Sequence, residues 1–158
     1  MKTATARWTA AGWLAGIGLM LGSACISLKI PAVFPGGDRV DRMVICASVA
    51  FDKGLYEPRD ITSDFRLRDG RVVCHVRLND VGRELRLRWR WYDPGGRLFR
   101  DTGDLLVNVE ERFLSVLTAT DILELTEDWD DGAIGRWTVV FTVDDVRVES
   151  LDFRIGRD

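Results

Sequence analysis

Apolar and polar side chains alternate with a period of two along most of the chain after residue 42. The pattern is clearest in Leu85–Tyr92 (LRLRWRWY) and recurs in Arg71–Leu78, Arg136–Val143 and Val146–Ile155. Because successive side chains of a β-strand point to opposite faces, this alternation predicts strands with one buried face. Turn residues separate the segments, and short strands at this spacing predict an all-β fold, an antiparallel β-sandwich.

Shorter patterns complete the predicted set of elements. Four further strands are predicted at Arg42–Phe51, Asp64–Arg68, Arg97–Phe99 and Asp104–Val109. The pattern of Phe113–Leu125 is ambiguous, because it fits either a strand or a segment with a helical turn capped near Thr120 or Asp121.

The segment Leu85–Tyr92 divides its side chains between two faces. One face carries Leu85, Leu87, Trp89 and Trp91, and the other carries Arg86, Arg88, Arg90 and Tyr92. Burial of Trp and Leu contributes most to the stability of a small domain, so the apolar face is predicted to lie in the core. The arginine face is then exposed.

A turn at Asp93–Gly96 follows this strand and leads to the next one. Its Asp-Pro-Gly-Gly sequence fits a type I turn that ends in a left-handed glycine. This geometry places Trp91 opposite Phe99, whereas a slip of one residue would turn Leu98 inward instead. We favour the first register because it pairs two aromatic side chains in the core.

The exposed arginines form a candidate binding face. The favoured register places Arg100 beside Arg90, so the face comprises Arg86, Arg88, Arg90 and Arg100, with Arg77 and His75 as neighbours. A solvated strand face is the favoured interpretation, and acids from elsewhere in the chain would neutralise it. The alternative is an anionic partner: an acidic protein patch, lipid headgroups or a polysaccharide. Nucleic acid is not expected, because the tryptophans lie on the other face and the formal net charge is −3.

The first 24 residues have the features of a signal peptide. Lys2 and Arg7 form a basic start, and no charged residue occurs from Trp8 to Ala24. An apolar run is followed by the small residues Gly22, Ser23 and Ala24, which suit signal peptidase. The protein is therefore expected to be exported, and residues 1–24 are set aside from the fold.

Leu21-Gly22-Ser23-Ala24-Cys25 resembles the lipobox of bacterial lipoproteins. The resemblance implies cleavage before Cys25 and acylation of that cysteine, which would tether the protein to a membrane. Ile26 follows the cysteine where inner-membrane lipoproteins carry Asp, so the resemblance implies an outer-membrane lipoprotein facing the periplasm. Gly22 departs from the commonest pattern. Secretion without lipid, or an uncleaved membrane helix, are the alternatives.

The mature chain has room for one domain. Residues 25–42 contain prolines and glycines with few periodic apolar positions and are predicted to be a tether. Residues 43–158 are predicted to form the sandwich. Basic residues dominate the first half of this domain and acidic residues the second. We expect the two halves to neutralise each other within one fold.

Three cysteines are present, and lipidation of Cys25 would leave Cys46 and Cys74 as a pair. Both lie in predicted strands. If these strands are antiparallel neighbours, a structural disulfide is expected in an oxidising compartment, and two buried free thiols are the alternative. His75 is the only histidine and is predicted to face away from Cys74.

The C-terminal segment Gly135–Ile155 is similar to the closing hairpin of immunoglobulin-like modules in bacterial envelope proteins. Cys74, followed by the Trp-bearing strand Leu85–Tyr92, also resembles an immunoglobulin core. The late cysteine of that core is missing, and Trp137 is among the apolar residues that replace it. The resemblance implies an immunoglobulin-like antiparallel β-sandwich.

No sequence motif for catalysis is recognisable. The chain lacks a nucleophile elbow, a phosphate-binding loop and a dinucleotide fingerprint, and its single histidine argues against a histidine metal site. The chain is therefore predicted to have no enzymatic activity and no cofactor. A glycosidase that uses carboxylates alone remains a third-ranked hypothesis.

The most concentrated acidic segment is Glu127–Gly132. Its candidate site residues are Asp128, Trp129, Asp130 and Asp131. Clustered carboxylates suit Ca²⁺, and an exposed Trp suits a sugar or a protein partner, but a solvated loop is the favoured interpretation. The function predicted is a non-catalytic envelope lipoprotein that binds or assembles with an envelope protein. A calcium- or glycan-binding module is the alternative.

Overall fold

Two β-sheets account for most of the chain in a computed structural model, which describes residues 39–107 and 114–157. Their strands are β1 Arg39–Asp52, β2 Leu55–Ile61, β3 Asp64–Arg66, β4 Arg71–Val81, β5 Leu85–Tyr92, β6 Leu98–Asp101, β7 Leu105–Val107, β8 Leu114–Glu124, β9 Gly135–Val143 and β10 Val146–Gly156. The predicted signal peptide 1–24, the predicted lipidation site Cys25 and residues 26–38 lie outside the described residues. Within residues 39–107 and 114–157, no helix is long and apolar enough to cross a membrane.

The sheets stack face to face. Sheet A has the strand order β2-β1-β4-β8, and sheet B has the order β3-β10-β9-β5-β6, with β7 also pairing with β5. All of these pairs are antiparallel except β3 with β10. The all-β, immunoglobulin-like antiparallel sandwich predicted from the sequence is confirmed.

The core lies between the sheets and uses the alternating positions. The inward side chains of β4, β5 and β9 are at most 1% exposed: Val72, Cys74, Val76, Leu78, Leu85, Leu87, Trp89, Trp91, Trp137, Val139, Phe141 and Val143. Each of these strands therefore presents one apolar face to the opposite sheet, as period-two patterning requires.

Several element boundaries differ from the predicted ones. β1 begins at Arg39, so its first four residues come from the segment predicted to be a tether. β3 ends at Arg66, where a 3₁₀ turn, Leu67–Asp69, replaces the predicted continuation. β8 is a strand throughout, because Thr120 and Asp121 pair with residues of β4 in the ladder instead of capping a helical turn.

The sequence pattern does not predict β2. Pro58 and four charged or aromatic neighbours interrupt the alternation in Leu55–Ile61. The turn before it is the only local signal: Lys53 and Gly54 have φ of 48° and 84°, as a two-residue hairpin turn requires. β1 and β2 thus form a hairpin that adds an edge to sheet A.

This β1–β2 hairpin (residues 47–61) folds back over the outer face of sheet A. β1 pairs with β4 only up to Cys46, and beyond it pairs with β2. The Tyr56 amide donates to Thr118 Oγ1 of β8 (3.0 Å), and the Tyr56 carbonyl oxygen lies 2.7 Å from His75 Nε2 of β4. The hairpin therefore covers outward side chains of β4, and His75 is only 2% exposed.

The predicted Cys46–Cys74 disulfide is wrong. β1 and β4 are antiparallel neighbours as expected, but Cys46 pairs with Val73, and Cys74 pairs with Ile45. This offset of one residue places the two sulfur atoms on opposite faces of sheet A, where no disulfide geometry is possible. Both cysteines are free and buried, and burial raises the pKa of each thiol.

Alkylation of the denatured protein without reductant is expected to label both Cys46 and Cys74. The reason is their placement on opposite faces of the sheet, which holds even in an oxidising compartment. Peptide mass mapping would report the modification of each residue separately. Labelling that appears at these two positions only after reduction would contradict the register.

Candidate functional site

The turn after β5 has the predicted local geometry. The Gly96 amide donates to the Asp93 carbonyl (2.9 Å), and Gly96 has a φ of 75°. The Asp93 amide donates to the Arg97 carbonyl (3.0 Å), so these two residues are opposite each other as predicted. A backbone hydrogen bond from Arg97 to the Asp93 carboxylate lowers the pKa of Asp93.

The predicted register is wrong beyond this turn. Tyr92 pairs with Leu98, but Trp91 pairs with Arg100, so Phe99 is an extra residue in a bulge. Arg100 therefore lies on the inner side, on the same face as Trp91. Asp101, and not Arg100, is the neighbour of Arg90 on the outer face.

Asp101 neutralises the centre of the arginine row. Arg88 donates to both carboxylate oxygens of Asp101, with Nε–Oδ1 at 2.7 Å and Nη2–Oδ2 at 2.6 Å. Arg90 Nε lies 3.4 Å from Asp101 Oδ2. The hydrogen bonds from Arg88 lower the pKa of Asp101 to about 2. Such a forked pair is geometrically specific and holds the arginines against the sheet.

The remaining arginine of the row faces acids from the β9–β10 turn. Asp144 Oδ1 accepts a hydrogen bond from the Arg86 amide (2.9 Å), and Asp145 Oδ2 lies 3.7 Å from Arg86 Nη2. Arg77 and His75 are not neighbours of the row, because β4 belongs to sheet A and β5 to sheet B. The candidate face thus keeps Arg86, Arg88 and Arg90, each beside a carboxylate.

Arg100 instead joins the two sheets. Its Nη2 donates to Asp121 Oδ1 of β8 (2.8 Å), and its Nη1 donates to the Ile122 carbonyl. The other carboxylate oxygen of Asp121 accepts from Trp91 Nε1 (2.6 Å). Asp121, whose side chain is 11% exposed, therefore satisfies two donors at once. This arrangement bridges the two sheets, with the Arg100 side chain 41% exposed.

The acidic loop uses its candidate residues internally. Trp129 stacks on Trp137 with ring centroids 5.3 Å apart and also contacts Phe99 at 5.4 Å. Asp130 Oδ1 accepts from the Ala133 amide (3.2 Å), and Asp131 pairs with Arg157. Asp128 is exposed. Across residues 39–107 and 114–157, no group of three or more His, Cys, Asp or Glu side chains is placed to hold a metal ion.

A groove between the open edges of the two sheets is a feature that sequence patterns do not reveal. It has a volume of about 390 Å³ and lies between β1 and β10, with Ile45, Ile61 and Leu151 among its apolar lining. Alternation identifies a strand but not which of its edges lacks a neighbour. The groove depends on where β2 and β3 stop pairing, and no local signal marks those points.

The buried histidine makes stability depend on pH. Burial under the β1–β2 hairpin lowers the pKa of His75, and the positive charges of Arg42 and Arg77 act in the same direction. The hydrogen bond to the Tyr56 carbonyl and the charge of Glu57 oppose this shift.

The free energy of unfolding is expected to fall as pH decreases below about 6.5, the ordinary pKa of histidine. Because the folded pKa of His75 is lower than the unfolded one, the unfolded chain binds more protons in that range. Urea unfolding at pH 8, 6.5 and 5.5 would measure this, with His75→Gln as the control that lacks the titration. An equal slope in both proteins would refute the assignment.

Comparisons with known proteins show no family for this chain. No family model matches the chain, and no curated protein matches it. Among solved structures, an immunoglobulin-like protein from Pseudomonas aeruginosa is similar, with a TM-score of 0.49 and 16% identity over 75% of this chain and 96% of that one. The DNA glycosylase AlkC of Pseudomonas fluorescens matches with a TM-score of 0.44 and 12% identity, over 73% of this chain and 30% of that one. The strand order of the two stacked sheets itself defines the class of fold, an immunoglobulin-like antiparallel β-sandwich.

Proposed function

We propose that this chain is a lipid-anchored, non-catalytic module of the cell envelope that binds a protein partner. One observation carries the proposal: large apolar side chains are exposed on the hairpin and edge strands. They are Phe51, Tyr56, Ile61, Leu98, Phe99, Leu105, Leu106 and Val146, with exposed fractions between 44% and 68%. Apolar groups at sheet edges are a common feature of surfaces that associate with other proteins.

The chemistry of the polar groups supports binding over catalysis. The carboxylates near the arginine row are engaged by guanidinium groups, as in the Arg88–Asp101 fork. The cysteines and the histidine are also buried: Cys74 faces the core, and Cys46 and His75 lie on the outer face of sheet A, where they are at most 2% exposed. An enzyme needs such groups to converge in a cleft that a substrate can enter.

Photo-crosslinking in intact cells would test partner binding. A photoreactive residue at Phe51 or Leu106 is expected to give a discrete protein adduct, because these side chains are exposed. Asp128 serves as a control, since it is an exposed polar position on the acidic loop. An adduct from Asp128 alone would favour the loop alternative, and no adduct from any apolar position would count against the proposal.

Membrane anchoring has a separate test. Cys25→Ser is expected to move the protein from the membrane fraction to the soluble fraction, because no acyl chain is then attached. Fractionation should be accompanied by mass analysis of the N-terminus. A Cys25→Ser protein that loses residues 1–24 and still sediments with membranes would disprove the lipid anchor.

A further inference from the structure

Part of the edge of β10 has no neighbouring strand in the described chain. β3 pairs only with Arg154–Gly156, and the Arg154 amide donates to the Ser63 carbonyl (2.7 Å). In a regular antiparallel strand, the backbone groups of every second residue point to the same side. The N–H and C=O groups of Ser150 and Asp152 therefore point to the side that β3 leaves open.

The open edge faces the groove between the sheets. Before β3 the chain crosses from sheet A to sheet B: Ile61 pairs with Cys46, and the Thr62 amide donates to the Ile45 carbonyl. This crossing closes one end of the groove. Apolar side chains of Met43, Ile45, Ile61 and Leu151 line it, beside Asp152. An extended segment placed in line with β3 would thus find backbone partners and an apolar floor.

Only the first part of β10 carries features that discourage strand pairing. A bulge lies between Arg147 and Glu149, and Glu149 pairs with Phe141 in register, which places a charged residue on the inner side. Bulges and inward charges are common means of protecting an exposed edge. Ser150–Phe153 has neither feature, so this stretch is the part that can accept a strand.

The charges beside the open edge favour an acidic occupant. Arg147 and Arg154 lie on the outer face of β10, and Arg66 lies on the same face of β3. No carboxylate of the described residues forms an ion pair with any of these three arginines; Arg147 donates instead to the Ser150 hydroxyl (2.6 Å). Asp152 is already engaged by Arg136 and by Thr138 (2.6 Å). Asp69 accepts a hydrogen bond from the Arg66 amide (2.7 Å), and Asp64 shares a concavity of about 280 Å³ with Arg66 and Arg154.

We propose that the open edge of β10 binds an extended segment of a partner protein by strand addition, and that this segment alternates apolar and acidic side chains. The inference rests on the proposed function and specifies its partner. Backbone groups of Ser150 and Asp152 pair with the segment, and its apolar side chains enter the groove beside Leu151. Its acidic side chains lie on the outer face, next to Arg147 and Arg154. This is the general mode of recognition in which main-chain bonds give affinity and alternate side chains give specificity.

A synthetic peptide of alternating valine and glutamate, acetylated and amidated, is the probe. Titration of the full mature chain followed by amide hydrogen exchange is expected to slow exchange at Ser150 and Asp152. Control peptides are one of alternating valine and lysine and one with the valines and glutamates in blocks. Equal binding of the lysine peptide, or protection at another edge, would overturn the proposal.

Two pairs of variants separate the backbone and charge contributions. Ser150→Pro removes an outward N–H without removing a bond to β9, so it should weaken peptide binding about tenfold, whereas Ser150→Ala should not. Reversal of charge at Arg147 and Arg154 together should weaken binding of the glutamate peptide and strengthen that of the lysine peptide. Arg59→Glu on the exposed face of the hairpin is the matched control. Unchanged affinity in both test variants would exclude strand addition.

The crosslinking experiment distinguishes the two proposals. If the Ser150→Pro protein still gives the adducts seen from Phe51 or Leu106, and the peptide does not bind, the partner uses another surface and only the strand-addition proposal fails. If the peptide binds at Ser150 and Asp152 but no partner adduct forms in cells, the edge has the inferred chemistry and the proposed function fails.

Discussion

Trp137→Ala is expected to lower the free energy of unfolding by about 3–5 kcal/mol, the range for deletion of a large buried aromatic side chain. Trp137 is 0% exposed and contacts three other rings, those of Phe99, Trp129 and Phe153. Its Nε1 donates to the Ala133 carbonyl (2.8 Å), so the substitution also leaves that oxygen without its partner. Urea unfolding followed by circular dichroism would measure the loss.

Trp129→Ala is the matched control for this experiment. Trp129 belongs to the same aromatic cluster, but it is only partly buried and lies in a loop. Trp129→Ala should therefore lower the free energy of unfolding clearly less than Trp137→Ala does. Trp137→Phe should give an intermediate loss, since it keeps most of the packing. A loss for Trp129→Ala as large as that for Trp137→Ala would mean that the loop itself forms part of the core.

Asp121→Ala is expected to lower the free energy of unfolding by about 3 kcal/mol, because it leaves two donors without their acceptor at the junction of the sheets. Arg100 Nη2 and Trp91 Nε1 both donate to this carboxylate, at 2.8 and 2.6 Å. The Asp121 carboxylate is 11% exposed, so its removal leaves the Trp91 donor unsatisfied in a mostly buried place, although the Arg100 side chain is 41% exposed. Thermal and urea unfolding would both detect the change.

Asp131→Ala provides the comparison, because its ion pair with Arg157 is at the surface and its side chain is 92% exposed. It should change stability by no more than about 0.5 kcal/mol. A double-mutant cycle between Arg100 and Asp121 would isolate their coupling. A coupling energy near zero would mean that the inter-sheet bridge does not stabilise the fold.

Period-two patterning predicts β5 and its buried face correctly because both are local properties of the chain. The register between two strands is harder to predict from the sequence, because it depends on residues that are distant along the chain. Phe99 was expected to face Trp91, but the bulge gives that place to Arg100, which finds Asp121 on the opposite sheet. A register chosen because it pairs two aromatic side chains takes no account of Asp121, the partner of Arg100, which lies 21 residues further along the chain.

The candidate site is predictable to the same extent. Alternation identifies Arg86 and Arg88 as outward side chains, but their acids come from distant segments; Asp144 is 58 residues from Arg86. The failed disulfide has the same cause, because one residue of offset between β1 and β4 decides whether two cysteines meet. The open edge of β10 is defined by where another strand ends, so only the assembled sheets reveal it.

The two cysteines give the molecule separate reporters of local and global opening. The Cys46 thiol lies beside the hairpin backbone at Ser48 and Arg59 and donates to the Val73 carbonyl oxygen (3.7 Å), whereas Cys74 lies in the core between the sheets. Lifting of the hairpin would expose Cys46 alone, and only separation of the sheets would expose Cys74. The ratio of their thiol-exchange rates under native conditions is therefore a direct measure of how independently the hairpin moves.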